Sequence, residues 1–358
     1  MRARDIGIRI GRGVPGPKNA ITDVPGVRVG HATLISGDGP LVVGNGPVRT
    51  GVTLIVPRED IWQAPVFAGS HRLNGNGQLT GLEWVRESGL LTTPIALTNT
   101  CSVGVVHDSL IAAQLGSQTV SALSVVGETW DGTLNDILGM HVRPEHVHRA
   151  LDVASPYEVA EGNVGAGTGT ICHGFKGGIG TSSRIVGDFT VGVLVQANQG
   201  ERALLRINGL PVGEAIGPED VPIPTQEPTR AGSIVGVVGT DAPLLPHQCS
   251  RLAQRVGLGV ARVGGVGEDW SGDLLIAFST GNGDADLSSE EESAAVVSLR
   301  MLPGSRITPL FEAVVDSTEE AILNALLAAG TMTGRDGITA HALGPDRLLA
   351  SMRRLGRL

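Results

Sequence analysis

The chain has 358 residues, of which 41% are hydrophobic and only 3% aromatic, with 52 glycines and a net charge of −9 at pH 7. Such a length buries a substantial core, built mainly from Val, Ile, Leu and Ala around many tight turns. The acidic balance argues against nucleic acid or an anionic membrane surface as partner, and no run approaches the ~20 apolar residues of a membrane span.

The N-terminal stretch "MRARDIGIRIGRGVPGPKNA" is basic but lacks the apolar region of a secretory signal. Cys101, Cys172 and Cys249 form no CxxC pair and suit a reducing compartment. The expectation is a cytoplasmic protein. Strand-like apolar runs follow at 27–35, 51–57, 93–100, 121–128, 189–198, 233–240 and 273–280. Helical patterns lie at 79–89 with Thr80 as cap, at 102–116 with Ser102 as cap, and at 143–154 with Pro144 in the first turn. A further helix starts at Pro246 and stops before Gly257; the longest, 307–330, breaks near Asp316-Ser317. Strands interleaved with helices predict an α/β or α+β chain of stacked sheet and helix layers. The proline-studded stretch 209–230 reads as a long exposed surface loop inside a single domain spanning 1–358.

Several familiar motifs are absent. "GNVGAGTGTICHG" (162–174) lacks the spacing of a phosphate-binding loop, and His146 and His148 are two apart, so on a helix they face different ways. No HExxH, GxSxG or SxxK occurs. No cofactor and no metal is implied.

Other residues carry chemistry. Ser233 opens an apolar strand directly after Gly232. If the Ser233 hydroxyl attacks the Gly232 carbonyl, cleavage leaves a free α-amine of pKa about 7.7–8.0 on the same residue, a general base for its own hydroxyl. The alternative is an ordinary strand start. Asn198 ends the run "VLVQAN" and can aim an amide at an oxyanion or merely begin a turn. Lys176 is one of two lysines among 27 basic residues, which points to a wanted compact amine or to codon bias alone. Ser271 and Asp273 are two apart on an extended segment and share a face.

"NAITDVPGVRVGHATL" (19–34), "GETWDGTLND" (127–136), "HGFKGGIGTSSR" (173–184), "GVLVQANQG" (192–200), "GSIVGVVGTDAPLLPHQ" (232–248) and "SGDLLIAFSTGN" (271–282) together resemble the DmpA-type aminopeptidases, which include the β-peptidyl aminopeptidases. The resemblance covers nearly the whole chain. It implies a four-layer αββα sandwich, self-cleavage into 1–232 and 233–358, and a tetramer of cleaved protomers. By motif, Ser233 matches the nucleophile, Asn198 the oxyanion-hole amide, Ser271 and Asp273 the proton-managing pair, and Lys176 an active-site lysine. Trp130 stands where members often carry a tyrosine that serves as second oxyanion donor. The implied activity is release of N-terminal residues from short peptides, amides or esters. An acyltransferase of the ornithine-acetyltransferase type and a non-catalytic glycine-rich ligand-binding protein remain as alternatives.

Overall fold

The central strands are buried along nearly their whole length, so successive side chains, which point to opposite faces, all enter packed layers. The computed structural model describes residues 1–114, 123–224, 232–285, 287 and 296–356. Its strands are β1 (Arg28–Ser36), β2 (Val48–Val56), β3 (Val66–Arg72), β4 (Leu90–Leu91), β5 (Ile95–Asn99), β6 (Val125–Thr129), β7 (Ile171–Cys172), β8 (Phe175–Lys176), β9 (Gly178–Val186), β10 (Phe189–Ala197), β11 (Ile234–Thr240) and β12 (Asp273–Ser279), with a small ribbon of β13 (Met332–Thr333) and β14 (Thr339–Ala340). The helices are α1 (Leu82–Ser88), α2 (Val103–Ala112), α3 (Pro144–Asp152), α4 (Val212–Ala215), α5 (Pro246–Arg262), α6 (Thr308–Ala328) and α7 (Pro345–Arg354).

Two sheets form, in the orders β1-β2-β5-β6 and β4-β3-β12-β11-β10-β9. Ile55, Leu97 and Val125 from the first meet Leu194, Val235 and Ile276 from the second in the layer between them. The opposite faces carry helices. Val52, Leu54 and Val126 pack with Val106 and Leu110 of α2 and Val147 of α3. Val193, Val195 and Leu275 pack with Leu252 and Val256 of α5 and Ile322 and Leu326 of α6. The result is the αββα sandwich. Each sheet contains one parallel pair, β5 with β6 and β11 with β12, and in the larger sheet α5 makes the crossover.

The differences from the sequence-based expectation have local causes. β3 and β9 were not expected as strands. β9 reads "GIGTSSRIV", poor in strand formers, yet its polar side chains are buried and paired. Arg184 meets Glu320 at 2.6 Å, and Thr181 donates to the Val193 carbonyl at 2.7 Å. Gly180 lets α6 lie directly on the strand, since a Cβ there would stand 2.0 Å from the Ala321 carbonyl oxygen. α6 does not break at Asp316-Ser317, because Arg262 holds the Asp316 carboxylate at 2.6 Å. α5 runs through Gly257 to Arg262, carried by the buried stripe of Leu252, Val256 and Val260.

The caps also differ. Gly81, not Thr80, caps α1, and the Thr80 hydroxyl instead donates to the Ser124 carbonyl at 2.6 Å. Ser102 does occupy the N-cap of α2, but its hydroxyl makes no capping bond. Within the expected exposed linker, Val212, Ile216 and Val221 are buried in the core, so 211–221 is anchored. Its last part, 225–230, lies outside the described residues, as do 115–116 of the second helix and 121–122 of the fourth strand.

Candidate active site

Strand register gathers the candidate residues at one end of the larger sheet. Antiparallel pairing sets Ala197 opposite Ile234, so Asn198 follows at the level of Ser233. Parallel pairing sets Ile234 beside Asp273. The end of β10 and the starts of β11 and β12 therefore converge. Ser233, Asn198, Ser271 and Asp273 are all buried there.

Gly232 is required by space. A Cβ on it would stand 1.7 Å from the Asn198 carbonyl oxygen and 2.4 Å from Asn198 Nδ2. Only glycine can lay its peptide against Asn198 in this way. The Gly232 carbonyl accepts a hydrogen bond from Ser271 Oγ at 2.5 Å. The Ser233 hydroxyl oxygen accepts one from the Gly272 N–H at 3.0 Å. The Ile171 N–H donates to Asn198 Oδ1 at 2.8 Å, which fixes the amide so that Nδ2 is the end turned to Gly232.

Asp273 Oδ1 lies 2.6 Å from Ser271 Oγ and accepts from the Ile234 N–H at 3.3 Å, while the Asp273 N–H donates to Asn74 Oδ1 at 2.6 Å. Burial pushes the Asp273 pKa up to about 6, and nearby Glu268 adds to the rise; hydrogen bonds from Ser271, Ile234 and Asn74 oppose it.

Lys176 occupies a different position. Its ammonium is fully buried and donates to the carbonyls of Gly167 at 3.0 Å, Thr170 at 2.8 Å and Gly177 at 2.8 Å. Burial pushes its pKa down to about 7. Three acceptors nevertheless use all three N–H donors of the charged form, and the neutral amine would leave one carbonyl unserved. Lys176 does not hydrogen-bond to Ser233. It ties together the segment from which Ile171 holds Asn198. Trp130 is half-exposed, with its ring close to Gly132, and its indole N–H makes no hydrogen bond to a described residue. The structure thus brings four of the six candidates together and leaves Lys176 and Trp130 outside that group.

Glu128 was not singled out from the sequence. It is a buried carboxylate in β6, accepting from the Gln78 N–H at 2.8 Å and from the Thr100 hydroxyl. Gly77 packs against both Glu128 and Gly272, so Glu128 lies near the residue that holds the Ser233 hydroxyl. Burial pushes its pKa up. A carboxylate at a buried strand position was the available signal. Gly77, Leu79, Leu82, Trp84, Leu274 and Arg72 line a groove of about 380 Å³ beside it.

The model of peptidase family S58 matches residues 19–340. The chain belongs to peptidase family S58. It is 46% identical to the beta-peptidyl aminopeptidase BapA of Sphingosinicella microcystinivorans, across 100% of this chain and 93% of that protein. A Burkholderia sp. beta-aminopeptidase superposes with TM-score 0.93 at 52% identity, covering 100% of both chains. The L-aminopeptidase D-Ala-esterase/amidase of Ochrobactrum anthropi, described as a prototype serine aminopeptidase and a variant of the Ntn-hydrolase fold, superposes with TM-score 0.90 at 41% identity, covering 100% of this chain and 99% of that one. This S58 chain is accordingly a hydrolase, a serine aminopeptidase of the N-terminal-nucleophile class. The non-catalytic alternative falls away.

Proposed function

We propose that Ser233 is the nucleophile of this S58 aminopeptidase, freed as an N-terminus by cleavage of the Gly232–Ser233 bond into fragments 1–232 and 233–358. The observation that carries the reading is that Ser271 Oγ donates to the carbonyl of Gly232, the residue just before Ser233, while Asn198 Nδ2 packs against the Cα of that same residue. An acyl group transferred to Ser233 Oγ would place its carbonyl in nearly the same surroundings. Ser233 Oγ attacks the substrate's acyl carbon while its own α-amine takes the proton. Asn198 Nδ2 stabilises the oxyanion, and Ser271 with Asp273 orients and relays protons. Water then resolves the acyl-enzyme.

Glu128 supplies the anion that recognises the substrate's ammonium, which makes the enzyme an aminopeptidase rather than an endopeptidase. The groove beside Gly77 takes the remainder of a short peptide, amide or ester. Similarity to beta-peptidyl aminopeptidases supports substrates whose N-terminal residue is a β-amino acid. Lys176 acts at a distance, through the segment that orients Asn198. A tetramer of cleaved protomers in the cytoplasm completes the reading.

The test is hydrolysis of one short peptide with a free or an acetylated N-terminus, followed by mass spectrometry. The free peptide should lose its first residue, and the acetylated one should survive. Equal cleavage of both would remove the aminopeptidase assignment of Glu128.

A further inference from the structure

The groove beside Gly77 borders both an anion and a free cation. A Cβ on Gly77 would stand 3.2 Å from Glu128 Oε1, 3.2 Å from Gly272 Cα and 3.5 Å from Leu274 Cδ1, so the glycine keeps open the space where the groove meets the carboxylate. Leu79, Leu82, Trp84 and Leu274 give the groove apolar walls, and Arg72 and Arg86 are its cations. Arg86 is paired with Glu83, three residues before it on α1. Arg72 is exposed and has no hydrogen bond or ion pair among the described residues. It is the one unpaired cation on the groove wall.

The backbone around Arg72 is fixed relative to the site. Arg72 pairs with Leu274 between β3 and β12, and directly paired residues share a face. Leu274 faces the layer between the sheets, so Arg72 rises on the groove side of β3. The Leu73 N–H donates to the Asp273 carbonyl at 3.0 Å, and the side-chain amides of Asn74 and Asn76 donate to the carbonyls of Glu268 at 2.9 Å and Trp270 at 2.8 Å. The segment 72–77 is thereby fastened to the residues that lead into β12. Since β12 lies between β3 and β11, the Arg72 backbone is two strand spacings, about 10 Å, from the start of β11 where Ser233 stands. A peptide residue spans about 3.3–3.6 Å, and the long arginine side chain covers part of the distance. One or two residues therefore fill the gap between an acyl carbon at Ser233 and the guanidinium.

We propose that Arg72 binds the C-terminal carboxylate of the substrate, which makes very short peptides with both ends free the preferred class. This rests on the reading of Glu128 as the ammonium site and names what meets the free cation of the same groove. A dipeptide or tripeptide sets its ammonium on Glu128, its acyl carbon at Ser233 and its carboxylate on Arg72, whose planar fork matches the two oxygens. Without that cation the carboxylate would enter a site lined by Glu128, Asp273 and Glu268 and be repelled. A longer peptide carries its carboxylate past Arg72, and an amide or ester brings none. These substrates are still hydrolysed, but they bind more weakly.

The test compares one dipeptide, carrying an N-terminal β-residue, as its free acid and as its C-terminal amide, by initial rates with the purified protein. The wild-type KM for the acid should be lower by about five- to tenfold, the size of a charge-assisted contact discounted for its exposure. That advantage should shrink as salt rises from about 0.02 M to about 0.5 M. Arg72→Gln should bring the two KM values together, and Arg72→Lys should keep part of the difference. A peptide of about five residues and its amide should show no difference in the wild type. Equal wild-type KM values for the dipeptide acid and amide, or an acid advantage that survives Arg72→Gln, overturn the proposal. If Arg72→Gln does not fold, the salt series and the lysine variant decide. The N-acetylated dipeptide keeps the two readings apart. Its cleavage removes the ammonium site at Glu128, whereas equal KM values for acid and amide with the acetylated peptide uncut remove only the role of Arg72.

Discussion

Replacing Asn198 separates its two jobs. Its Oδ1 accepts from the Ile171 N–H at 2.8 Å, and its Nδ2 faces the Gly232 site. Asn198→Asp keeps an oxygen for Ile171 and puts another oxygen where the donor was. The lost donor alone should lower kcat by about 10²–10³, or about 2.7–4 kcal/mol of transition-state stabilisation, and like-charge repulsion of the oxyanion adds to it. Asn198→Ala removes the donor too, and it also leaves the Ile171 N–H without its partner, at about 1–3 kcal/mol of folding stability. Both variants should therefore lose turnover, while the alanine variant alone should also melt at lower temperature. The assay is hydrolysis of an aminoacyl p-nitroanilide by the cut fraction, with thermal unfolding in parallel, because slow self-cleavage would otherwise be counted as slow turnover. Near-normal kcat in Asn198→Asp would refute the oxyanion role and leave Asn198 as a turn residue.

Lys176→Arg should fail to restore function, because the fully enclosed cavity fits three point-charge donors to three carbonyls and has no room for a planar guanidinium. Lys176→Met should lose stability and turnover together, and a fully active arginine variant would show that a generic cation suffices. Glu128→Gln should raise KM for free-amine substrates far more than it lowers kcat, measured with a matched series of esters; an unchanged KM would remove its amine-binding role. His31 and His173 are both held near pKa 4 by burial. The unfolded chain protonates them first, so the stability they contribute is complete above about pH 6.5 and is lost as pH falls through 4. NMR of histidine-labelled protein should show both rings untitrated above about pH 5, and ordinary midpoints near 6.5 would contradict their burial.

The apolar strands were legible because period-two burial between two layers leaves Val, Ile and Leu on both faces of β10, β11 and β12. β9 was hidden because its burial depends on partners distant in sequence, Glu320 for Arg184 and the α6 backbone for Gly180. No local pattern carries that information. The end of α5 was misread for a related reason: Gly257 is a stop signal in isolation, and packing overrides it. In the site, Ser233, Asn198, Ser271 and Asp273 were visible because each sits at a strand end, where register brings them together. Lys176 was visible as an oddity of composition, but its work is to bind carbonyls. Glu128 was overlooked within a motif already quoted, since its importance depends on Gly77 and Gly272 approaching from other parts of the chain.

The central claim is that the chain is cut before Ser233 and works through the new N-terminus. Intact-mass measurement of the purified, denatured protein tests it most directly. Two species should appear, with masses of residues 1–232 and 233–358, and N-terminal sequencing of the smaller should read Ser-Ile-Val-Gly. Ser233→Ala should give one uncut and inactive chain. A wild-type protein of a single mass, still releasing N-terminal residues from peptides, would contradict the account and leave Ser233 as the residue before a buried strand.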